Sequence, residues 1–192
     1  EARSLRLLTS LAEKERMIRQ LGVDRFEVLN FTKDFSAMTT EEYLSHIMKE
    51  YGATAILLGY DNRMGSDAAD SDQVARKAEE LGLEVIRTEM VSSDMGYAVS
   101  STKIRERIEA GDVEEAAHML GYGYSLHGVV VAGNRLGRTI GFPTANMQLY
   151  EPLKLVPGNG VYFVKARTLD RDFYGMCNIG HRPTVGAGNA RT

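Results

Sequence analysis

Apolar residues in the first two thirds of the chain follow the helical period in some segments and form short extended runs in others. The helical segments predict five helices, which begin near Ser10, Thr39, Ser71, Thr102 and Val113. The extended runs predict strands over residues 23–31, 54–58 and 83–91. Such alternation is typical of parallel strands joined by right-handed crossovers, so we expect an α/β fold in this part of the chain.

Local signals support three of these elements. Ser10 with Glu13, and Thr39 with Glu42, form capping boxes, in which a hydroxyl and a carboxylate each satisfy a free backbone amide. The run T-A-I-L-L over residues 54–58 is apolar throughout, which is typical of a strand covered on both faces. Three strands are few for a sheet of this class, so we expect part of the sheet to precede the first residue.

The pattern changes after residue 121, where short β-rich runs punctuated by Gly and Pro replace the helical period. These runs cover residues 125–132, 160–168 and 173–179. They predict a small antiparallel barrel or sandwich. The sequence G-Y-G-Y over residues 121–124 is a predicted linker, which gives domains over residues 1–122 and 123–192.

Charge follows the same division. The 192-residue chain has a net charge of −3, but residues 1–122 carry 15 basic and 23 acidic side chains, whereas residues 123–192 carry 8 and 3. The acidic part argues against a nucleic-acid surface, and the basic part suits a phosphate-bearing small molecule.

No apolar run approaches the roughly 20 residues of a membrane helix, and the single cysteine excludes an internal disulfide. We therefore expect a cytoplasmic protein that binds neither membranes nor nucleic acids.

A polar loop, G-Y-D-N-R-M-G over residues 59–65, follows the apolar strand. Ligands of parallel α/β sheets bind beyond the carboxyl ends of the strands. Gly59 would let a ligand approach the backbone, Asp61 offers hydrogen-bond acceptors, and Arg63 could hold a phosphate. A plain polar turn at Asp61 and Asn62 explains the same residues.

A second candidate opens the predicted helix near residue 102. A helix start presents free N–H groups and the positive end of the helix dipole, which bind anions. Hydroxyl and cationic side chains cluster there: Ser100, Ser101, Thr102, Lys103 and Arg105. This group suits a triphosphate, although simple capping by Ser101 is the alternative.

The third candidate is the stretch from Gly133 to Asn146. Glycines recur at every fourth position, at Gly133, Gly137 and Gly141, with Arg135 and Arg138 between them. Flexible backbone amides and arginines suit phosphate, although the spacing is that of neither a Walker loop nor a dinucleotide fingerprint.

Two oxygen-bearing side chains end the same stretch. Thr144 and Asn146 are two residues apart, so their side chains would point the same way in an extended segment. Such a neutral oxygen pair can help to hold Mg²⁺. A Gly-Pro loop leading into a strand is the alternative, but it gives this pair no role.

Residues 137–146, G-R-T-I-G-F-P-T-A-N, closely resemble the signature loop of bacterial bifunctional riboflavin kinase/FMN adenylyltransferases, also called FAD synthetases. The resemblance extends along the chain in the same order, through residues 7–10, 100–105, 111–117, 159–162 and 178–184. It implies a Rossmann-like nucleotidyltransferase domain that joins AMP from ATP to FMN. It also implies a flavokinase β-barrel that phosphorylates riboflavin.

The resemblance also implies roles for the candidate residues. Four of them would grip ATP phosphates during FAD formation: Ser100, Ser101, Thr102 and Arg105. Gly59 and Asp61 would lie near the nucleotide and flavin, whereas Asn62 and Met64 depart from the usual pattern of that loop. Thr144 and Asn146 would bind Mg²⁺ and ATP phosphates, beside a loop that contains Gly133, Gly137 and Arg138. The implied substrates are ATP, riboflavin and FMN, and the product is FAD.

The catalytic groups themselves are not assigned to residues of this chain. The family's His-x-Gly-His motif is expected before Glu1, and the kinase base is expected just after Thr192. We therefore expect an internal piece of a longer protein that is poor at either reaction. Three alternatives stay open: a flavin or nucleotide sensor without catalysis, a kinase with a degenerate first domain, and a nucleic-acid-binding barrel, for which the aromatic platforms are lacking.

Overall fold

A computed structural model describes residues 6–90, 99–132, 141 and 144–180. In chain order the elements are α1 (Leu11–Gln20), α2 (Lys33–Ala37), α3 (Thr40–Tyr51), β1 (Ala55–Leu58), α4 (Ser71–Glu80), β2 (Glu84–Arg87), α5 (Ser101–Ala110), α6 (Val113–Leu120), β3 (Gly128–Val131), β4 (Asn146–Leu149), β5 (Gly160–Arg167) and β6 (Asp172–Ile179). The chain divides into two compact units, Arg25–Ala98 and the combination of Glu1–Asp24 with Val99–Thr192. The domain boundary at residue 122 stays a prediction.

The unit Arg25–Ala98 has α/β architecture, as predicted. Strands β1 and β2 pair in parallel, with Ile56 opposite Val85. Helices α3 and α4 pack on the face that carries Ile56 and Leu58, and their buried contacts include Leu44 and Val74. The predicted capping box of Thr39 and Glu42 is present, with Thr39 as the N-cap that precedes α3, whereas the short helix α2 had not been predicted.

No described residue covers the other face of this sheet, so within the described residues the prediction that β1 is covered on both sides is wrong. Leu57 is 63% exposed, and its partner on β2, Ile86, is 48% exposed. Both helices that contact the two strands lie on the opposite face. An apolar run alone did not indicate which of its faces would be covered.

The predicted strand over residues 23–31 is also absent. The described backbone there pairs with no other strand, and the apolar residues Val28 and Phe31 are 57% and 79% exposed. A strand forms only when a neighbour accepts its hydrogen bonds. Among the described residues, no segment offers that edge to residues 23–31.

The described residues of the unit that combines Glu1–Asp24 with Val99–Thr192 form three helices and two antiparallel strand pairs. Helices α5 and α6 pack together, and α1 begins at the predicted capping box of Ser10 and Glu13. Strand β3 pairs with β4, and β5 pairs with β6. The predicted antiparallel pairing is confirmed, although the described strands form separate two-stranded sheets and no closed barrel. No helix within the described residues is long and apolar enough to span a bilayer.

Candidate functional site

The polar loop after β1 folds back on its own backbone. The Gly59 N–H donates to Asn62 Oδ1 at 3.1 Å, and the Ser71 hydroxyl donates to the Gly59 carbonyl at 3.0 Å. A Cβ atom on Gly59 would lie 2.5 Å from Asn62 Oδ1, so the close approach at this glycine comes from Asn62. Asp61 is exposed at the turn. Asn62, which departs from the family pattern, thus has a structural role in closing the loop.

The following turn is fixed to the start of α3. Met64 and Ala69 exchange backbone hydrogen bonds of 3.1 and 3.0 Å. Asp67 Oδ1 accepts from the Thr40 backbone N–H at 2.9 Å and lies 2.8 Å from the hydroxyl of Thr40, which is fully buried. Lys77 Nζ lies 2.5 Å from the other carboxylate oxygen. The Lys77 ammonium and the Thr40 hydrogen bonds hold the pKa of Asp67 well below its usual range.

The predicted phosphate site at the start of α5 forms a regular helix start. Ser100, rather than Ser101, is the N-cap, and its hydroxyl accepts from the Lys103 N–H at 3.3 Å. Ser101 and Thr102 lie exposed in the first turn. Arg105 is half-buried, and its Nε donates to the Arg6 carbonyl at 3.0 Å. The segment that precedes α1 therefore orients the guanidinium of the candidate phosphate ligand.

Residues 6–8 are in turn fixed to the segment that precedes β5. Leu7 donates to the Leu153 carbonyl and accepts from the Leu155 N–H, both at 2.8 Å. Arg6 Nη1 donates to the Pro152 carbonyl at 3.3 Å. This pairing joins residues that are almost 150 positions apart in the sequence.

A buried ion pair lies directly beneath this pairing. Lys154 and Glu13 are 4% and 6% exposed, and Lys154 Nζ lies 2.8 Å from Glu13 Oε2. The same ammonium donates to the Leu8 carbonyl at 2.7 Å. His127 Nδ1 lies 2.5 Å from Glu13 Oε1, and the Ser10 N–H donates to Glu13 Oε2 at 2.6 Å. Glu13 is therefore both the capping residue of α1 and the counter-ion of Lys154.

The two partners respond differently to burial. Desolvation raises the pKa of Glu13, but hydrogen bonds from Lys154, Ser10 and His127 outweigh it, so the net pKa is lowered. Burial lowers the pKa of Lys154, and the single carboxylate beside it does not fully offset that effect.

Tyr124 covers the pair, with its ring 4.6 Å from Lys154 Nζ, and burial strongly raises the pKa of the Tyr124 hydroxyl. That hydroxyl stays protonated and donates to the Leu155 carbonyl at 2.7 Å.

The proposed Mg²⁺ ligands lie at the beginning of β4. Asn146 is its first residue and is half-buried, and Thr144 is exposed two positions earlier. Both offer neutral oxygen atoms, which fit a hard cation that keeps water and phosphate ligands. In the described part of the chain, no three His, Cys, Asp or Glu side chains cluster as a metal site. Three further predicted site residues lie outside the described residues: Gly133, Gly137 and Arg138.

Two acidic residues that follow this site in the sequence have structural partners. Asp172 lies 2.8 Å from Lys165 Nζ and 2.9 Å from Arg167 Nε, and these contacts lower its pKa to about 2. Glu151 accepts the Leu153 N–H at 2.9 Å. Both carboxylates therefore have structural roles, and the location of the kinase base stays a prediction.

The predicted site residues are distributed between the two units. Gly59 and Asp61 lie in the unit Arg25–Ala98. The residues at the start of α5 and at the start of β4 lie in the other unit. Sequence analysis missed Asp67, which fixes the polar loop, and it missed the Glu13–Lys154 pair. The one available signal for the latter was a lysine inside the apolar run L-K-L-V over residues 153–156.

Comparison with known families now identifies the chain. Residues 1–103 match the family model of FAD synthetase, and residues 120–192 match that of riboflavin kinase. The chain belongs to the FAD synthetase family. This membership confirms the resemblance found in the sequence, and the two matched segments appear in the predicted order.

The curated relatives of this FAD synthetase family member have names that agree with the two family matches. The bifunctional riboflavin kinase/FMN adenylyltransferase of Listeria monocytogenes is 33% identical over 95% of this chain and 57% of its own length. The enzyme of the same name from Escherichia coli K12 is 34% identical over 93% of this chain and 57% of its own length. The chain thus spans little more than half the length of the curated relatives it matches.

One solved structure resembles the whole chain. A protein from Streptococcus pneumoniae, described as a macrolide-efflux protein, is 33% identical and superposes with a TM-score of 0.85. The match covers 96% of this chain and 59% of that protein.

Proposed function

We propose that the full-length protein makes FMN from riboflavin and ATP, and then makes FAD from FMN and a second ATP. The observation that carries this proposal is the ordered match of residues 1–103 and 120–192 to an FAD synthetase and a riboflavin kinase. We further propose a nucleotidyltransferase domain over residues 1–122 and a β-barrel kinase domain over residues 123–192. Strands β3 to β6 would contribute to that barrel.

In the kinase reaction, the 5′-hydroxyl of riboflavin attacks the γ-phosphorus of ATP, and the bond to the β–γ bridging oxygen breaks. The hydroxyl proton passes to a general base. Thr144 and Asn146 would hold Mg²⁺, and bound Mg²⁺ supplies charge neutralisation to the ATP phosphates. The backbone amides around Gly133 and Gly137, with Arg138, would orient and neutralise the same phosphates.

In the adenylyl transfer, a phosphate oxygen of FMN attacks the α-phosphorus of ATP, and pyrophosphate leaves. The start of α5 carries three features suited to this step. The first-turn amides near Ser101 and Thr102 and the helix dipole attract phosphate, and Arg105 adds a charge whose direction is set by the Arg6 carbonyl. Such fixed donors stabilise charge that develops in a transition state. Gly59 and Asp61 would lie at the edge of the nucleotide and flavin pocket.

Separate assay of the two products tests the division of labour. In the full-length protein, Thr144→Ala or Asn146→Ala should abolish FMN formation and leave adenylylation of supplied FMN largely intact. Arg105→Ala should lower FAD formation about tenfold to hundredfold, since a charge-assisted hydrogen bond contributes about 1.5–3 kcal/mol. It should leave FMN formation unchanged.

Arg107→Ala is the matched control, because Arg107 lies on the same helix and pairs with Asp112 at the protein surface. This control should leave both activities unchanged. FMN and FAD are separated and measured by chromatography. Equal loss of both products in any of the three site variants would contradict the assignment.

A further inference from the structure

We propose that Lys154 is a positioning residue for adenylyl transfer, although it lies in the segment that matches riboflavin kinase. It would act through residues 6–8 on Arg105. This inference rests on the proposed function, because it takes Arg105 as a ligand of the ATP phosphates. Its starting observation is that residues 6–8 accept a hydrogen bond from a buried ammonium at one end, at the Leu8 carbonyl, and from that guanidinium at the other end, at the Arg6 carbonyl.

The first step is the contact between Lys154 and the residues around Leu8. The ammonium donates to the Leu8 carbonyl at 2.7 Å and to Glu13 Oε2 at 2.8 Å. Glu13 Oε2 also accepts the Ser10 N–H at 2.6 Å. One buried cation thus fixes the backbone on both sides of Thr9.

The second step carries this constraint to Arg6. Leu7 makes two backbone hydrogen bonds of 2.8 Å, to Leu153 and Leu155, the two neighbours of Lys154. The Leu7 backbone and the Leu8 carbonyl are therefore fixed from the same segment. Arg6, the next residue toward the amino terminus, has its carbonyl placed by this pairing.

The third step reaches the candidate phosphate ligand. The Arg6 carbonyl accepts from Arg105 Nε at 3.0 Å. A guanidinium carries five N–H donors in a rigid plane, so fixing Nε sets the direction of the remaining four. Among the described residues, the structure records no second hydrogen bond for Arg105. Displacement of the Arg6 carbonyl would turn this planar group away from the phosphates.

A purely structural role would not need this lysine. Replacing a buried ion pair with apolar groups is often neutral or stabilising, whereas removing one partner leaves a buried charge. The Leu8 carbonyl, however, needs a donor from residue 154 whatever stands at residue 13. Two variants therefore separate an effect on stability from an effect on positioning. The first removes only the lysine, and the second removes both the lysine and the charge of Glu13.

The test measures the KM for ATP in FMN adenylylation with the full-length protein, alongside riboflavin phosphorylation. Lys154→Met should raise this KM on the order of tenfold, because small misplacements of a substrate ligand are costly. It should leave the KM for riboflavin unchanged. A KM does not depend on the fraction of enzyme that is folded, so a loss of stability alone would not produce this result.

Three further variants strengthen the test. Glu13→Gln with Lys154→Met should regain stability in thermal unfolding but keep the raised KM. Lys154→Arg, which retains a donor, should restore most of the affinity. Adding Lys154→Met to Arg105→Ala should raise the KM no further. Lys165→Met removes a half-exposed lysine of β5 and is the matched control, with no expected change in KM for ATP.

The outcomes are distinguishable. An unchanged KM for ATP in Lys154→Met, with or without reduced stability, overturns the inference and leaves the proposed function intact. The inference is also overturned if Lys154→Met raises the KM for ATP by the same factor in the Arg105→Ala background as in the unmodified protein. Lys154 would then act independently of Arg105. If the unmodified protein makes no FAD from FMN and ATP, the proposed function fails together with the inference.

Discussion

Replacement of Gly65 by alanine provides a sharp test of how the polar loop is fixed to α3. Gly65 has a φ angle of +73°, and a Cβ atom there would overlap the Thr40 backbone nitrogen and Asp67 Oδ1. The left-handed conformation costs an L-residue about 1–2 kcal/mol. Overlap with atoms that cannot move freely adds about 1–3 kcal/mol. The free energy of unfolding should therefore fall by about 2–5 kcal/mol.

Gly82→Ala is the matched control, because Gly82 lies in the same unit at a φ angle of +88° and a Cβ atom there would meet nothing within 4 Å. Only the conformational cost of about 1–2 kcal/mol should appear in this variant. Urea unfolding followed by circular dichroism measures both changes. If Gly65→Ala costs no more than Gly82→Ala, the loop does not close on Thr40, and the role assigned to Asp67 is wrong.

Two further predictions concern the buried pair and its cover. Because the folded-state pKa of Glu13 is lowered, its contribution to stability is complete above its ordinary pKa of 4.5 and is lost as the pH falls through the lower folded value. Glu13→Gln, with Lys154, His127 and Arg16 still facing the site, should flatten the loss of stability on acidification, and a pH series of thermal melts that stays as steep as before would contradict this. Tyr124→Phe removes the hydrogen bond to the Leu155 carbonyl and should cost about 1 kcal/mol in urea unfolding. Tyr122→Phe, for which the described residues give no hydroxyl hydrogen bond, should cost less, and equal losses would argue against the Tyr124 contact.

Helix starts could be predicted from sequence because capping is local. The hydroxyl of Ser10 and the carboxylate of Glu13 are three residues apart, and the structure contains the reciprocal hydrogen bonds between them. Asp70 and Gln73 form a further capping box at the start of α4. The prediction began that helix at the right residue without identifying this box. Short-range chemistry thus fixed most helical boundaries.

Strands and long-range pairs could be predicted less well, since each needs a distant partner. Residues 23–31 have a β-rich composition but find no neighbouring strand among the described residues. Glu13 could be identified as a capping residue, but its ion pair with Lys154 spans 141 positions. Nothing in a single sequence indicates which of the many acidic residues would face a buried lysine. The candidate site residues at the starts of α5 and β4 could be proposed from sequence because their motifs are contiguous, and their roles stay predictions.

The backbone pairing of Leu7 with Leu153 and Leu155 also bears on how a chain that matches two family models could be separated into two genes. A cut in the tyrosine–glycine segment over residues 121–124 looks simple in the sequence, but it would leave Lys154 without its counter-ion in an apolar setting. It would also leave the backbone groups of Leu153 and Leu155 without the hydrogen bonds that Leu7 supplies. Evolutionary fission of such a chain would therefore require coordinated replacement at positions 13 and 154, so these contacts favour keeping the two matched segments on one polypeptide.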